Sequence, residues 1–499
     1  MNANEYIALD GTEMANLVKT KTVATEELIE ASFLQLEKVN PSLNAVIHTR
    51  KEQALEEAAA TDANAAFAGV PIFLKDQSQP IEGEPSTGGA RLFRHAKAQA
   101  TSNFVRALHR AGFISSGHTA TPEFALKNIT ESKLYGPTRN PWNHRHSPGG
   151  SSGGAAALVA SGVVPIAGAS DGGGSIRIPA SFTGLVGLKP TRGRMPVGPG
   201  AGRQWHGAAI DFVLSRTVRD SAKVLTEMQT VQQEAAFQTP LFPGRFEEQM
   251  KKPFQKRLHV AISTSSPVGT PVSEEAKKAV LNVASWLEEQ GHHVEEAEPE
   301  IDGVELMRNY YLMNSGEIAS LVNQLETTLG KRILSEDVEV ETWLLHIAGQ
   351  NVSAAEFSAS LLNWDALAAR MAHFHKKYDL YLTPATAYAA PEIGELTHDE
   401  EKENQLRAEI ERRDPKQQQE LIYEMFLPSL SYTPFTQLAN LTGQPALSMP
   451  VHLTKEKIPL GVQAIAPKGE EHILLKLACQ LEETDLWVGM KGNSYFNRR

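Results

Sequence analysis

The sequence predicts an α/β fold in which one domain carries an inserted helical cap. Three observations lead there. Short apolar runs with the length of buried strands recur along the chain, at Gly69-Val-Pro-Ile-Phe-Leu74, Arg257–Ile262, Leu380-Tyr-Leu382, Ala446-Leu-Ser-Met449 and Leu460–Ile465. Between Arg257–Ile262 and a further strand signal beginning at His293-Val-Glu295 lies a helix, which makes a β-α-β unit. Strand signals also stand on both sides of a long, mostly helical stretch, residues 305–430, as an insertion into one domain requires. No internal repeat or low-complexity linker divides the chain, although its 499 residues would by length alone allow about three domains.

The elements follow in order. Asp10 with Glu13, and Thr25 followed by Glu26-Glu27, are helix-start signals. Leu28, Ile29, Phe33, Leu36 and Val39 then recur at helical spacing, and Pro41 is expected to stop that helix. Thr61–Ala68 is polar and alanine-rich, a surface connection. The first buried strand runs into Lys75-Asp76, and a lysine ending a buried strand needs a partner or a task, because burying an ammonium is costly. Residues 112–225 are dense in glycine and short strands. Ser273 caps the helix of the β-α-β unit, Ala276, Val280, Val283 and Leu287 share its buried face, and Gly291 closes it. No G-x-G-x-x-G follows its first strand, which argues against a dinucleotide there. Asp399–Gln419 reads as a charge-rich, solvated helix. The expected organisation is a single domain over residues 1–499, with a helical N-terminal layer over 1–65, a core over 66–225 and 432–490, and a helix-rich cap over 226–430.

Composition excludes several classes. A net charge of −11 argues against the nucleic-acid backbone as a partner. The one basic run, Lys251-Lys252 with Lys256-Arg257, reads as a solvated linker. Cys479 is the only cysteine, so no internal disulfide forms; its apolar helical surroundings make it a packing residue. The first residues lack the basic and apolar stretches of a signal peptide. The longest apolar tract, Ala155–Ala169, is broken by Ser161, Gly162, Pro165 and Gly168 and is shorter than the ~20 residues that cross a bilayer. A soluble, cytoplasmic enzyme is expected.

The chemistry concentrates in Pro148-Gly-Gly-Ser151-Ser152-Gly-Gly154 and Ala169-Ser-Asp171-Gly-Gly-Gly-Ser175-Ile-Arg177-Ile-Pro-Ala180. Three glycines before Ser175 leave backbone N–H groups unshielded, and successive N–H groups in such a turn make an anion-binding concavity. A serine at its end has an oxyanion hole built beside it, which acyl transfer requires. A P-loop is absent, since no G-x-x-x-x-G-K-[ST] occurs here. Gly149-x-Ser151-x-Gly153 and Gly150-x-Ser152-x-Gly154 both match a nucleophile elbow, but that motif must follow a strand. Here a proline-containing loop, Asn140–Pro148, precedes it, so the matches follow from glycine density.

These residues resemble the amidase signature family. Its G-G-S-S-G-G element, its D-x-G-G-S-I-R-x-P-A element and its G-L-K-P-T-x-G-R element all have counterparts, the last as Gly187-Leu-Lys-Pro-Thr-Arg-Gly-Arg194. Gly69–Asp76, Gly136–Trp142, Asp379–Pro384, Asn440–Pro450 and Gly461-Val-Gln463 resemble further family elements, so the likeness spans most of residues 65–490 and is weakest between 225 and 370. The resemblance implies a large mixed β-sheet flanked by helices on both faces, and hydrolysis of amide bonds without a cofactor. It also implies that Ser175 is the acylated nucleophile, Ser151 the bridging serine on a cis peptide bond, and Lys75 the base. The N–H groups of Gly172, Gly173, Gly174 and Ser175 match the oxyanion hole. Asp171 and Arg177 are expected to fix the loop, and Ser152 to hydrogen-bond within it.

A lysine with an ordinary pKa of ~10.4 is protonated at neutral pH, and burial would lower that value enough for Lys75 to accept a proton. No metal site is expected: H-E-x-x-H is absent, and His144/His146, His292/His293 and His373/His375 lack helical ligand spacing. Gly172 stands where many family members carry threonine, and Ser170–Ser181 resembles the branch with 6-aminohexanoate-cyclic-dimer hydrolases and stand-alone amidases. The alternative is the glutamine-hydrolysing A subunit of an aminoacyl-tRNA amidotransferase. The element typical of that subunit has no match in Leu329–Ser335 or Trp343–Gly349. The expected partners are a small-molecule amide and at most a second copy of the chain in a homodimer, with neither nucleic acid nor membrane. Trp343, Leu344, Leu345, Leu361, Leu362 and Trp364 suit an apolar pocket wall in the cap and suit core packing equally.

Overall fold

The computed structural model describes residues 1–496. Three strands form a small sheet: β1 (Val46–Thr49), β2 (Pro71–Lys75) and β3 (Ile114–Thr119), with β3 central, antiparallel to β1 and parallel to β2. β4 (Glu131–Ser132) and β5 (Gly136–Pro137) pair as a short ribbon. The large sheet holds β6 (Ile166–Asp171), β7 (Val186–Lys189), β8 (Ile210–Ser215), β9 (His259–Ile262), β10 (His293–Glu296), β11 (Leu380–Pro384), β12 (Ala446–Leu453) and β13 (Pro459–Ile465). Its order is β10-β9-β11-β13-β12-β7-β8-β6. The pairs β10/β9 and β9/β11 are parallel and all the others antiparallel, so the sheet is mixed, with helices around it.

Burial on both faces explains why the central strands read as unbroken apolar runs rather than as alternating ones. Every residue of β13 and all but the last of β12 are buried. The β-α-β unit is β9, the helix Glu274–Glu289 and β10, and Ser273 Oγ accepts from the N–H of Ala276 to cap that helix. The small sheet meets the large one along β2 and β6. There the Gln79 side chain accepts from the N–H of Lys75 (3.0 Å) and donates to the Ala169 carbonyl (2.8 Å). A side-chain amide thus links the ends of the two strands that carry the site.

The apolar interior has two main clusters, one around the large sheet and one within the helices Gly303–Leu329, Val340–Gly349, Ala354–Phe374, Glu400–Ile410 and Pro415–Tyr432. That second group is the cap, and it is narrower than residues 226–430, because β9, β10 and β11 pair into the sheet. The N-terminal layer likewise contains a strand, β1. Pro41 does not stop its helix: Thr25–Leu43 runs through it and ends at Asn44 in the left-handed region (φ 51°). A proline two residues from a helix end removes only one hydrogen bond, which the buried Leu36, Val39 and Leu43 outweigh. The charge-rich segment is two helices broken before Asp414, and Leu406 and Ile410 are buried despite their polar neighbours. Among the described residues, no helix is long and apolar enough to cross a membrane.

Candidate active site

β2 delivers Lys75 to the centre of the molecule with no exposure to solvent. Its Nζ lies 2.7 Å from Ser151 Oγ and 2.9 Å from Ser170 Oγ. Burial pushes the Lys75 pKa down to about 7, against the opposing pull of the Asp211 and Asp171 carboxylates. Hydroxyls can solvate either protonation state, so nothing in direct contact forces the ammonium form. Asp211 is itself buried, and burial lifts it to about 6 although Ser78, Gln204 and Gln79 donate to it.

Ser151 stands on a cis peptide with Gly150, just before the helix Gly153–Ala160. Gly150 has no room for a side chain: a Cβ there would lie 2.6 Å from the Ile129 carbonyl oxygen. Ser152 is buried and pairs with the Ser170 backbone, donating to its carbonyl at 3.2 Å and accepting from its N–H at 3.3 Å. This ties the loop carrying Ser151 to the end of β6.

β6 ends at Asp171, where the glycine loop begins. Arg177 grips the Asp171 carboxylate with two hydrogen bonds, Nε to Oδ2 at 2.9 Å and Nη2 to Oδ1 at 2.8 Å, and both side chains are fully buried. Burial alone would raise the Asp171 pKa, but the guanidinium overrides it and holds the carboxyl far below its usual range. Asp171 also accepts from the N–H of Gly174 (2.8 Å), from that of Ile176 (3.2 Å) and from Asn440 Nδ2 (2.8 Å). Arg177 reaches on to the Thr436 carbonyl, Gln463 Oε1 and Asn440 Oδ1.

One expectation needs correcting. The four N–H groups of the loop are not equivalent, because that of Gly174 is already bonded to Asp171 and is turned into the buried brace. Those of Gly172, Gly173 and Ser175 have no hydrogen-bond acceptor among the described residues, and these three residues are half-exposed while Gly174 is buried. Tyr310 Oη donates to the Gly172 carbonyl (3.1 Å) and Thr436 Oγ1 to that of Gly173 (2.7 Å), fixing the peptide planes. The loop therefore offers three free donors, held by a fourth.

Ser151, Ser170, Gly172, Gly173 and Ser175 line one cavity of about 310 Å³, a volume suited to a small ligand. Its roof comes from the cap, through Met307, Tyr310, Tyr311, Phe426 and Leu430. The six cap residues weighed for that wall lie elsewhere. Trp343, Leu344, Leu345 and Trp364 are buried in the cap's own core, Leu361 packs at its edge, and Leu362 is 66% exposed.

A family model for amidases matches residues 27–475. The chain belongs to the amidase signature family. It is an amide-bond hydrolase of that family, similar to a lipoamidase of Enterococcus faecalis at 41% identity over 96% of this chain. The chain spans 63% of that relative's own length. The 6-aminohexanoate-cyclic-dimer hydrolase of Paenarthrobacter ureafaciens is 33% identical over 97% of this chain and 96% of its own. A solved structure of a 6-aminohexanoate cyclic dimer hydrolase with substrate superposes with a TM-score of 0.89, at 31% identity, covering 98% of this chain and 100% of that one. A bacterial aryl acylamidase superposes at 0.84 with 26% identity, covering 98% and 99%.

In this amidase, sequence reasoning placed Asn440 and Gln463 in family-like elements without giving them a role, and it missed the other residues that hold the loop from a distance, Thr436 and Tyr310 of the cap. It also missed Ser170 and Asp211. A signal existed for Asp211, a lone charge in the otherwise apolar run Ile210–Leu214, and none for Tyr310.

Proposed function

We propose that the chain hydrolyses carboxamides and other linear or cyclic amides through a seryl acyl-enzyme. Ser175 attacks the carbonyl carbon while its proton passes to Ser151 and from Ser151 to Lys75. The carbonyl oxygen, gaining negative charge, takes hydrogen bonds from the N–H groups of Gly172, Gly173 and Ser175. The C–N bond then breaks, the proton returns through Ser151 to the leaving nitrogen, and water hydrolyses the ester by the same route.

The observation that carries this reading is the contact of Lys75 Nζ with Ser151 Oγ at 2.7 Å, made by a lysine whose pKa burial lowers to about 7. Such a lysine is substantially neutral at physiological pH and can serve as a base. The roof of Met307, Tyr311, Phe426 and Leu430 favours acyl groups with a hydrocarbon or aromatic body. Relatives named for lipoamide and for a cyclic aminohexanoate dimer agree with that preference.

The chain is expected to work without a second subunit. The test is amine or ammonia release by the purified chain from matched primary, anilide, cyclic and long-chain amides, with glutamine alongside. A hydrocarbon amide should be turned over faster than glutamine, and a fluorophosphonate should label Ser175 and abolish turnover. Turnover that survives complete labelling, or labelling at another residue, would overturn the mechanism.

A further inference from the structure

A single side chain, Tyr310, holds the peptide plane between Gly172 and Gly173. Glycine on both sides lets that plane turn over at little cost, which would exchange its N–H for its carbonyl oxygen. An oxyanion facing the carbonyl oxygen would be repelled instead of bound. The next plane, between Gly173 and Gly174, is pinned at both ends. There Thr436 Oγ1 donates to the Gly173 carbonyl (2.7 Å) and the Gly174 N–H donates to Asp171 (2.8 Å). In the first plane Tyr310 Oη donates to the Gly172 carbonyl (3.1 Å), and neither that carbonyl nor the Gly173 N–H has another partner among the described residues.

Tyr310 comes from the cap helix Gly303–Leu329, whereas the loop belongs to the floor. Gly173 makes room for the contact, since a Cβ there would lie 2.8 Å from Tyr310 Oη. Asn314 stands one helical turn further on, on the same face of the helix, and its Oδ1 accepts from Trp205 Nε1 (2.7 Å). Burial pushes the Tyr310 pKa up to about 12, against the Asn314 and Trp205 side chains beside it, so the hydroxyl keeps its proton and remains a donor. With its carbonyl drawn to the cap, the trans peptide turns the Gly173 N–H to the opposite side, away from Tyr310. The same hydrogen bond polarises the amide and strengthens its N–H as a donor, by roughly 10–30%.

We infer that Tyr310 is a positioning residue: its hydroxyl selects the peptide orientation in which the Gly173 N–H can serve the oxyanion, so that the cap completes the oxyanion hole of the floor. The inference rests on the acyl-enzyme reading above. As the Ser175 Oγ–C bond forms, the π electron pair of the carbonyl settles on its oxygen, and the Ser175 proton passes through Ser151 to Lys75. Tyr310 gains and loses no proton in that step and acts on the new charge only through the peptide it holds. Its effect therefore belongs to the tetrahedral state and not to the bound substrate.

The experiment removes only the hydroxyl, with Tyr310→Phe. It reads kcat/KM for the anilide of a hydrocarbon acid, the affinity of the trifluoromethyl ketone of the same chain, and the affinity for the anilide itself on a Ser175→Ala background. The ketone adds Ser175 to its carbonyl and presents a stable alkoxide to the same N–H groups. kcat/KM should fall about 30-fold, short of the roughly 10²–10³-fold that follows loss of a whole oxyanion donor. Affinity for the ketone should fall by the same factor, while affinity for the unreacted anilide stays within about twofold. Rates are referred to sites titrated with a fluorophosphonate, so a misfolded fraction lowers none of them. An unchanged kcat/KM, or a loss that ketone binding does not share, would overturn the inference. An equal loss in anilide affinity would overturn it too, being the mark of a disturbed pocket. If Ser175 of the native chain takes up neither fluorophosphonate nor ketone, the acyl-enzyme reading fails and this inference with it, whereas normal uptake with no effect of Tyr310→Phe removes the inference alone.

Discussion

Lys75 and Lys127 are both shut away from water beside the same cavity, and they are held in opposite states. Lys75, on the floor, meets two hydroxyls, Ser151 and Ser170, and burial lowers its pKa to about 7. Lys127, where the floor meets the cap, is pulled down by burial too, but Glu341 and Glu339 overrule it and raise its pKa above the ordinary value. Its Nζ lies 2.7 Å from Glu339 Oε2 and 3.9 Å from Glu341 Oε1. Burial alone therefore does not make a lysine a base. The floor withholds a contacting counter-charge and so leaves the amine free to lose its proton, whereas the cap contact supplies carboxylates and turns the same side chain into a clasp.

Replacing each lysine by methionine gives the largest separation between the two. Lys75→Met should lower kcat/KM by about 10³-fold or more, the scale of losing a member of a catalytic triad, with little loss of stability. Lys127→Met leaves Glu339 and Glu341 buried without their cation. It should cost about 3–5 kcal/mol of stability, while the molecules that remain folded keep most of their activity. Denaturant unfolding paired with steady-state kinetics checks both. Equal kinetic losses in the two variants would break the distinction.

A smaller contrast separates rigid from tolerant positions within the floor. A Cβ at Gly174, where φ is +124°, would sit 2.2 Å from Thr436 Oγ1. At Gly172 φ is not in the left-handed region, and the nearest atom to such a Cβ is the Ala209 Cβ at 3.5 Å, ordinary contact. If the loop N–H groups bind the oxyanion as proposed, Gly174→Ala should lower kcat about 10²-fold by displacing them, and Gly172→Ala should stay within about threefold of the native rate. Similar losses at both would mean that the loop moves as one piece and that the Asp171 brace does not single out Gly174.

The floor was legible in the sequence and the roof was not, for a physical reason. Ser151 and Ser175 lie in tracts where close backbone approach demands glycine, and Lys75 ends an apolar buried strand, where a charged side chain stands out. The mixed sheet was legible as well, since strands buried on both faces leave unbroken apolar runs. Tyr311 and Phe426, which roof the cavity, sit at helical spacings that a cap core would use equally, as Trp343 and Trp364 do. Periodicity reports that a face is covered, and not whether a side chain or a substrate covers it. The anchors Thr436, Asn440 and Gln463 reach the glycine loop from more than 250 positions away, which no local pattern encodes.

Proton linkage supplies the smallest and most direct test of the two lysines. With Lys75 as the base, kcat/KM should be level above its pKa and fall about tenfold per pH unit below about 7, because protonation removes the acceptor. Lys127 adds no limb there, since it keeps its charge through that range. Asp211, raised to about 6 by burial, titrates nearby and has to be told apart. An ammonium has a large heat of ionisation and a carboxyl almost none, so a limb owned by Lys75 moves to lower pH on warming, while one owned by Asp211 stays in place. The stability contributions have opposite signs. Lys75 has a folded pKa of about 7, below its ordinary ~10.4, so between those values the unfolded chain carries a proton that the folded chain lacks, and this group's contribution to stability rises with pH. Lys127 has a raised folded pKa, so its contribution is complete below the ordinary lysine value and is lost as pH climbs through the raised one. A kinetic limb near pH 7 that does not move with temperature would take the base away from Lys75.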